Sequence, residues 1–404
     1  MVLLLKICST ERMITMKFDY YMPSRLLFGA GKLQELHKHK LPGTKALIVM
    51  TGGKSLRANG SLAALEEELR LAGASAILYD KITPNPAKTQ IMEGARVAKS
   101  NGCDFVIGFG GGSSIDAAKA IAVMATNHGD YWDYISGGSG KGMPVPNDPL
   151  PIVAITTTAG TGTEADPWTV VTKEETNEKI GFGYDKTFPV LSVIDPALML
   201  TVPPMLTAYQ GFDALFHSTE GYLNTIAYPI SDAFALRAIS LVSQSLPAAV
   251  KDGKNLPART DVALANTLSG MVESTSGCIS EHSLAHAMGA MKPELAHGAA
   301  LIMISRAYYE TFAKKGCADA RMIDMARAMG KHDAKSAMDF VEALVELQVA
   351  CGVDTLKMSD YGIRYEDLGA YVDNAFATMG GLFQFDPCTL SKEDCLKIYQ
   401  ASYR

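Results

Sequence analysis

Residues 104–125 read DFVIGFGGGSSIDAAKAIAVMA. A short apolar run, DFVIGF, has the length of a buried strand. It enters the turn Gly110-Gly111-Gly112-Ser113-Ser114-Ile115-Asp116 and leaves as a helical stretch over 115–125. Strand, glycine turn and helix N-terminus, in that order, make a cradle for phosphate. Glycines let the backbone approach an anion, and the free N–H groups and dipole of the helix attract it. The order is neither GxGxxG nor a P-loop, so neither fingerprint applies. Taken alone, three glycines before a helix also fit a tight turn with no ligand.

The same alternation extends on both sides. Short strands are predicted at 18–22 and 26–28, a buried strand at 46–50 (ALIVM), a helix at 62–71, a strand at 76–79, a helix at 91–99 and a strand at 152–156. Strands alternating with helices of this length predict a parallel sheet covered on both faces. A second polar turn, Thr156-Thr157-Thr158-Ala159-Gly160-Thr161-Gly162, follows the strand at 152–156. Two such turns at the carboxyl ends of parallel strands suit the pyrophosphate and nicotinamide ribose of a dinucleotide. Residues 137–142 (GGSGKG) and the prolines at 144, 146, 149 and 151 read as a surface loop.

After VIDPALMLTVPP (193–204) the pattern changes. Apolar residues recur at helical spacing over 207–223, 230–250, 258–275, 298–313, 318–330, 334–351, 365–378 and 391–402, with no convincing strand signal. Two domains are therefore expected, 1–203 with an α/β Rossmann-like sheet and 204–404 all helical.

The helical half carries a cluster of metal-ligating residue types. Asp213 and His217 stand in GFDALFHSTEGY; His282, His286 and His297 stand in EHSLAHAMGAMKPELAHG. Asp213 and His217, and again His282 and His286, are spaced i, i+4, which puts each pair on one helix face a turn apart. Two such pairs facing each other, with His297 opening a glycine-containing turn, can converge on one N/O metal site. Any one of these histidines alone reads as a hydrogen-bonded core residue; the set does not. His37, His39, His128 and His332 read as surface residues.

Bulk properties narrow the classes. The 404 residues are 48% hydrophobic and 20% charged with net charge −6, which argues against a general nucleic-acid binder. Uninterrupted apolar runs fall well short of a membrane span, so no membrane partner is expected. The start, MVLLLKICSTER, lacks the apolar stretch and small-residue site of a secretory signal, and a clear pattern begins only near Met16. Seven cysteines with no CxxC pair read as reduced thiols in a cytoplasm. The predicted strand pair within 17–28 offers an edge for a homodimer or higher homo-oligomer.

Five separated stretches, GGGSSIDAAKAIA, TTAGTGTEAD, SVIDPALMLTVPP, GFDALFHSTEGY and HSLAHAMGA…AHG, together resemble the motifs of the iron-containing (group III) alcohol dehydrogenase family. The resemblance runs from PSRLLFGAGKLQEL onward and implies the dehydroquinate synthase-like fold, with a cleft between a Rossmann-like and a helical domain. It implies hydride transfer between NAD(P)(H) and a small primary alcohol or aldehyde at one divalent metal, Fe2+ or Zn2+. Carried over by motif, Asp213, His217, His282 and His297 are the metal ligands and His286 is the catalytic, non-ligand histidine beside the substrate. Gly111, Gly112, Ser113 and Asp116 fall on the pyrophosphate side; Thr157, Thr158 and Thr161 fall on the nicotinamide side. Lys179 matches a cofactor-contacting lysine.

Where many relatives place an aspartate that binds the adenosine ribose, this chain has Thr51-Gly52-Gly53-Lys54-Ser55. Such a carboxylate repels a 2′-phosphate; Lys54 and Ser55 can instead hold one. Gly52, Gly53, Lys54 and Ser55 are therefore expected to favour NADP(H) over NAD(H). Two departures stand out. The spacing between His286 and His297 is one residue longer than the family's usual interval, and Asp166-Pro167-Trp168 replaces a small polar stretch, which is expected to narrow or recharge the substrate pocket. A lyase related to dehydroquinate synthase is the competing reading. It needs a cluster of basic residues near the metal motifs, and few are present.

Overall fold

The structure is a computed structural model that describes residues 17–404. The segment MVLLLKICSTER, with Cys8, lies outside the described residues. The first half consists of β1 (Arg25–Phe28), β2 (Lys45–Thr51), α1 (Ser55–Ala58), α2 (Ser61–Leu71), β3 (Ser75–Ile82), α3 (Lys88–Asn101), β4 (Phe105–Gly110), α4 (Gly112–Thr126), β5 (Ile152–Thr156), β6 (Thr169–Lys173), β7 (Glu178–Phe182) and β8 (Leu191–Ile194). Six strands form one sheet in the order β1-β8-β5-β4-β2-β3, every neighbouring pair parallel. Central strands buried on both faces require continuous apolar runs, which ALIVM and FVIGF supply. All six residues of β4 are buried.

The second half is helical: α5 (Pro204–Leu223), α6 (Pro229–Lys251), α7 (Leu256–Thr275), α8 (Ser280–Met291), α9 (His297–Lys315), α10 (Asp319–Ala328), α11 (Ala337–Ala350), α12 (Leu368–Met379) and α13 (Lys392–Ser402). Proline in the first turn of α5, α6 and α7 pre-sets φ and sacrifices an N–H that has no helical partner there. α5 is almost wholly buried at the centre, with Phe212, Leu215 and Phe216 inside the helical core. α6 is the one described helix long and apolar enough to cross a membrane by length and composition. Here its apolar side, Ala235, Ala238, Ile239, Val242 and Leu246, is packed in that core.

The two halves meet closely. Gly162, at φ +63°, abuts Gly270 of α7, where a Cβ would collide with the Gly162 carbonyl, and Asn266 Oδ1 accepts from the Gly162 N–H at 2.8 Å. The second polar turn is thereby clamped to the helical half.

Three expectations are corrected. Residues 18–22 are not a strand. Phe18 stacks on Tyr228 at 4.7 Å, Tyr20 packs on Phe234 and Tyr21 on Phe188, so aromatic anchoring replaces ladder pairing. The antiparallel hairpin β6–β7 and the strand β8 add to the expected strands: β6 and β7 are only five residues each around a charged turn, and β8 is only four residues long. Cys317 and Cys388 are disulfide-bonded, with Cα atoms 5.9 Å apart across a separation of 71 residues, so the chain does not carry only reduced thiols. Spacing in sequence gives no hint of such a contact. Cys103, Cys278, Cys351 and Cys395 are buried and free.

Candidate metal and nucleotide site

The carboxyl ends of β4 and β5 face the N-terminal part of α8 across a cavity of about 270 Å³. From the first half Gly112, Ser113, Asp116, Thr161 and Lys179 line it; from the second half His217, His282, His286 and His297 do.

α5 carries Asp213 and His217 on one face, α8 carries His282 and His286, and His297 is the first residue of α9. Asp213 Oδ1 lies 3.7 Å from His282 Nε2, 3.6 Å from His297 Nε2 and 3.7 Å from His217 Nδ1. Donors about 2.1 Å from one ion in a tetrahedron stand about 3.4 Å apart; Asp213, His282 and His297 gather their ligating atoms within 4.8 Å as one candidate ion site, while His217 gathers with Cys278 and His282. Asp213 Oδ1, His217 Nδ1 and His282 Nε2 are all buried without a hydrogen-bond partner. Orphaned buried polar atoms are costly unless something occupies the space between them, and an N/O donor set of one carboxylate and three imidazoles suits a first-row ion.

Electrostatics favours ligation. Burial pushes His217 down to about 4. Burial, and next the charge of Lys179, hold His286 and His297 well below the usual imidazole range. Neutral imidazole is the ligating form. His282 goes the other way: burial opposes its charge, but Cys278 and Glu220 outweigh that and hold the ring well above its ordinary value.

Glu220 is the residue that sequence reading missed. It is fully buried on α5 and its Oε1 engages His282 Nδ1, while Oε2 accepts from the N–H of Ile279 (2.8 Å) and of His282 (3.3 Å). Asp386 accepts from the Ser280 N–H at 3.0 Å. Ile279, at the N-cap of α8, offers no side chain to the helix, so two carboxylates from elsewhere satisfy its first N–H groups. The signal was present: Asp213, His217 and Glu220 follow i, i+4, i+7, a single helix face.

His286 packs against the same cluster, its ring 5.0 Å from that of His297 and 6.2 Å from that of His282, but unlike His217, His282 and His297 it brings no ring nitrogen within 4.0 Å of Asp213; its Nδ1 lies against Met379 Sδ. The longer interval before His297 is absorbed after α8 ends, in a turn closed by Leu295 N–H donating to Lys292 O at 2.9 Å. Pro293 O in that turn accepts from Asn85 Nδ2 (2.9 Å), and Asn85 Oδ1 accepts from Lys179 Nζ (2.9 Å). Asn85, unremarked in sequence, thus ties the nucleotide half to the loop before His297. Its φ of +56° marks it as a special backbone position.

On the nucleotide side, α4 has no side-chain N-cap, and Gly112 and Ser113 of its first turn line the cavity. The two glycine turns touch: a Cβ on Gly111 would come within 2.9 Å of Thr158 Oγ1, and one on Gly112 within 2.5 Å of Thr161 Cγ2. Thr157 N–H donates to Gly110 O at 2.9 Å, so Thr157 and Thr158 sit beside the first turn rather than in the cavity wall. Asp116 lines the cavity, but both carboxylate oxygens are engaged, Oδ1 by Thr163 Oγ1 (2.8 Å) and Oδ2 by the Val170 N–H (3.0 Å). It anchors β6 to α4. Gly52, Gly53, Lys54 and Ser55 are exposed at the carboxyl end of β2, outside the cavity wall. The acidic residue nearby, Asp80, is paired with Arg57.

Asp166 does not recharge the pocket: the buried Lys119 Nζ meets its Oδ1 at 3.1 Å. Trp168 contributes wall to the cavity, as does Glu273, whose Oε2 is 3.5 Å from His217 Nε2.

Known proteins share the fold and the sequence over nearly the whole chain. Residues 23–196 match the family described as iron-containing alcohol dehydrogenase, and residues 207–403 match the C-terminal part of the Fe-containing alcohol dehydrogenase family. Alcohol dehydrogenase 4 of Schizosaccharomyces pombe is 35% identical over 88% of this chain and 82% of its own length. The NAD-dependent methanol dehydrogenase of Bacillus methanolicus is 32% identical over 89% of this chain and 93% of its own. The crystal structure of an archaeal halo-thermophilic Red Sea brine pool alcohol dehydrogenase superposes with a TM-score of 0.90 at 34% identity, covering 96% of this chain and 99% of that one. In both halves of its sequence and in its whole fold, the chain belongs to the iron-containing alcohol dehydrogenase family.

Proposed function

We propose that the protein is a metal-dependent alcohol dehydrogenase or aldehyde reductase that moves a hydride between NAD(P)(H) and a small primary alcohol or aldehyde. The observation that carries this is the convergence of orphaned Asp213, His217 and His282 donors on a cavity whose opposite wall is the uncapped N-terminus of α4. A bound divalent ion, iron first and zinc second, would supply Lewis acidity at the substrate oxygen, and a bound nicotinamide would supply the hydride donor or acceptor.

The chain's own residues do the rest. Asp213, His217, His282 and His297 hold the ion, and Glu220 fixes His282 with its proton on Nδ1, leaving Nε2 free toward the site. Backbone N–H groups of Gly112 and Ser113 meet the pyrophosphate, with Gly111, Asp116, Thr157, Thr158 and Thr161 shaping the turn pair around it. Lys179, held by Asn85, faces the cofactor from β7. Trp168 walls out water. His286 is the station for the substrate hydroxyl proton, being the cavity imidazole not drawn toward Asp213.

For the cofactor we favour NADP(H). Gly52 removes the carboxylate that would repel a 2′-phosphate, Asp80 is paired with Arg57, and Lys54 is exposed beside them. The named relative from Bacillus methanolicus is NAD-dependent, so this preference is particular to the residues at 52–55. We further place the domain junction at 203–204, the enzyme in the cytoplasm, and its assembly as a homodimer or larger through the free edge of β1, which light scattering tests.

The deciding experiment is an aldehyde panel with NADPH and NADH on metal-free protein reloaded with Fe(II) or Zn(II). Turnover is expected with NADPH, and His282→Ala or His297→Ala should lose metal and turnover while still binding nucleotide. Full activity in either variant refutes the ligand assignment.

A further inference from the structure

Two sets of donors share His282. One is Asp213, His282 and His297; the other is His217, Cys278 and His282, with the ligating atoms of each set within 4.8 Å of one another. Cys278 lies outside the five stretches that carry the family resemblance. It lies in the loop between α7 and α8, is buried, and lines the same cavity as the histidines.

That loop is held from α5. Asn224 Nδ2 donates to the carbonyls of Ser276 (2.6 Å) and Cys278 (3.3 Å), and Glu220 accepts from the N–H of Ile279 (2.8 Å). Gly277, at φ +74°, turns the chain just before the cysteine. The thiol is therefore fastened through its backbone to the helix that carries Asp213 and His217. His217 and His282, the two imidazoles grouped with it, are on side chains more than nine-tenths buried, and each has a ring nitrogen, Nδ1 of His217 and Nε2 of His282, without a hydrogen-bond partner.

We propose that Cys278 is a sulfur ligand of the divalent ion in this chain, beside the imidazoles of His217 and His282. The inference rests on reading the cavity as a metal site. Coordination exchanges the S–H proton for the ion, and that proton leaves to solvent. Two consequences follow from the chemistry of the donor. A soft thiolate raises affinity for zinc and cobalt relative to manganese. A second anionic ligand beside Asp213 also cancels the remaining charge of a divalent ion, so the site polarises a substrate oxygen less than one carboxylate and three imidazoles would.

Metal-free wild type and Cys278→Ser are loaded with Co(II) and their absorption spectra recorded. Wild type should show a near-ultraviolet sulfur-to-cobalt charge-transfer band together with visible d–d bands. Cys278→Ser should keep the d–d bands and lose the charge-transfer band. Its zinc-over-manganese affinity ratio should fall by about tenfold or more. Visible bands without charge transfer in wild type, or a charge-transfer band that survives in Cys278→Ser, overturn the sulfur ligand and leave the metal site standing. Cobalt that fails to bind wild type overturns both. The wild-type spectrum decides by itself if the variant does not fold.

Discussion

Replacing Glu220 with glutamine separates a metal-positioning role from a structural one. The carboxylate is fully buried and receives three donors, the His282 ring at Nδ1 and the backbone N–H groups of Ile279 and His282. Glutamine has the same shape but brings one acceptor and one NH2 group. If its oxygen keeps the backbone N–H groups, its NH2 faces Nδ1, and the ring must move its proton to Nε2, the atom directed at Asp213. If its oxygen keeps Nδ1, the NH2 opposes N–H groups at the start of α8, a mismatch costing about 1–3 kcal/mol. Either outcome degrades the ligand. Loss of such an outer contact lowers metal affinity by about 10–100-fold, equivalent to about 1.4–2.8 kcal/mol. Metal-free protein titrated with zinc against a chromophoric chelator reads this directly. Folding stability is a poorer readout, because Glu281 is fully buried and burial, followed by the charge of Glu220, pushes its carboxyl well above the usual range. Glu220→Gln relieves that repulsion while losing hydrogen bonds. An unchanged zinc affinity in a variant with native circular dichroism refutes the argument.

Three further predictions follow from other parts of the molecule. Gly270→Ala drives a Cβ into the Gly162 carbonyl at the contact between the halves, and should lower stability in chemical denaturation by about 1–3 kcal/mol or more; Gly369→Ala, exposed in α12 with open space around it, should raise stability by about 0.5–1 kcal/mol. In metal-free protein, burial pushes Lys179 down to about 8 from 10.5, with Asp213 and Asp116 opposing. Since the folded value lies below the unfolded one, the charge is present below about 8 and lost above it: affinity for the anionic dinucleotide should fall as pH rises through about 8, and stability should rise with pH between about 8 and 10.5. Lys179→Met should flatten the pH step in nucleotide Kd, and a step that persists belongs to another group. Gly52→Asp should shift the ratio of kcat/KM toward NADH and Lys54→Ala should raise KM for NADPH alone; equal effects on both cofactors would show that these residues do not touch a 2′-phosphate.

Much of the sheet-and-helix organisation was legible in the sequence, because short apolar runs bounded by turn residues alternate with stretches of 3.6-residue periodicity in the first half and give way to that periodicity in the second. The histidines that line the cavity, His217, His282, His286 and His297, were also legible there, since i, i+4 spacing is local geometry that survives without a partner, whereas Gly52, Gly53, Lys54 and Ser55 lie outside the cavity wall. Tertiary structure alone decided what surrounds them. The contacts of Glu220 with His282, Asn85 with Lys179 and Pro293, Cys278 with His217, and Cys317 with Cys388 join elements far apart in the chain. No periodicity encodes such a meeting, because it depends on how whole helices and loops dock. The stretch at 18–22 shows the converse: its alternation is strand-like, but its aromatic rings find Tyr228, Phe234 and Phe188 before its backbone finds a ladder.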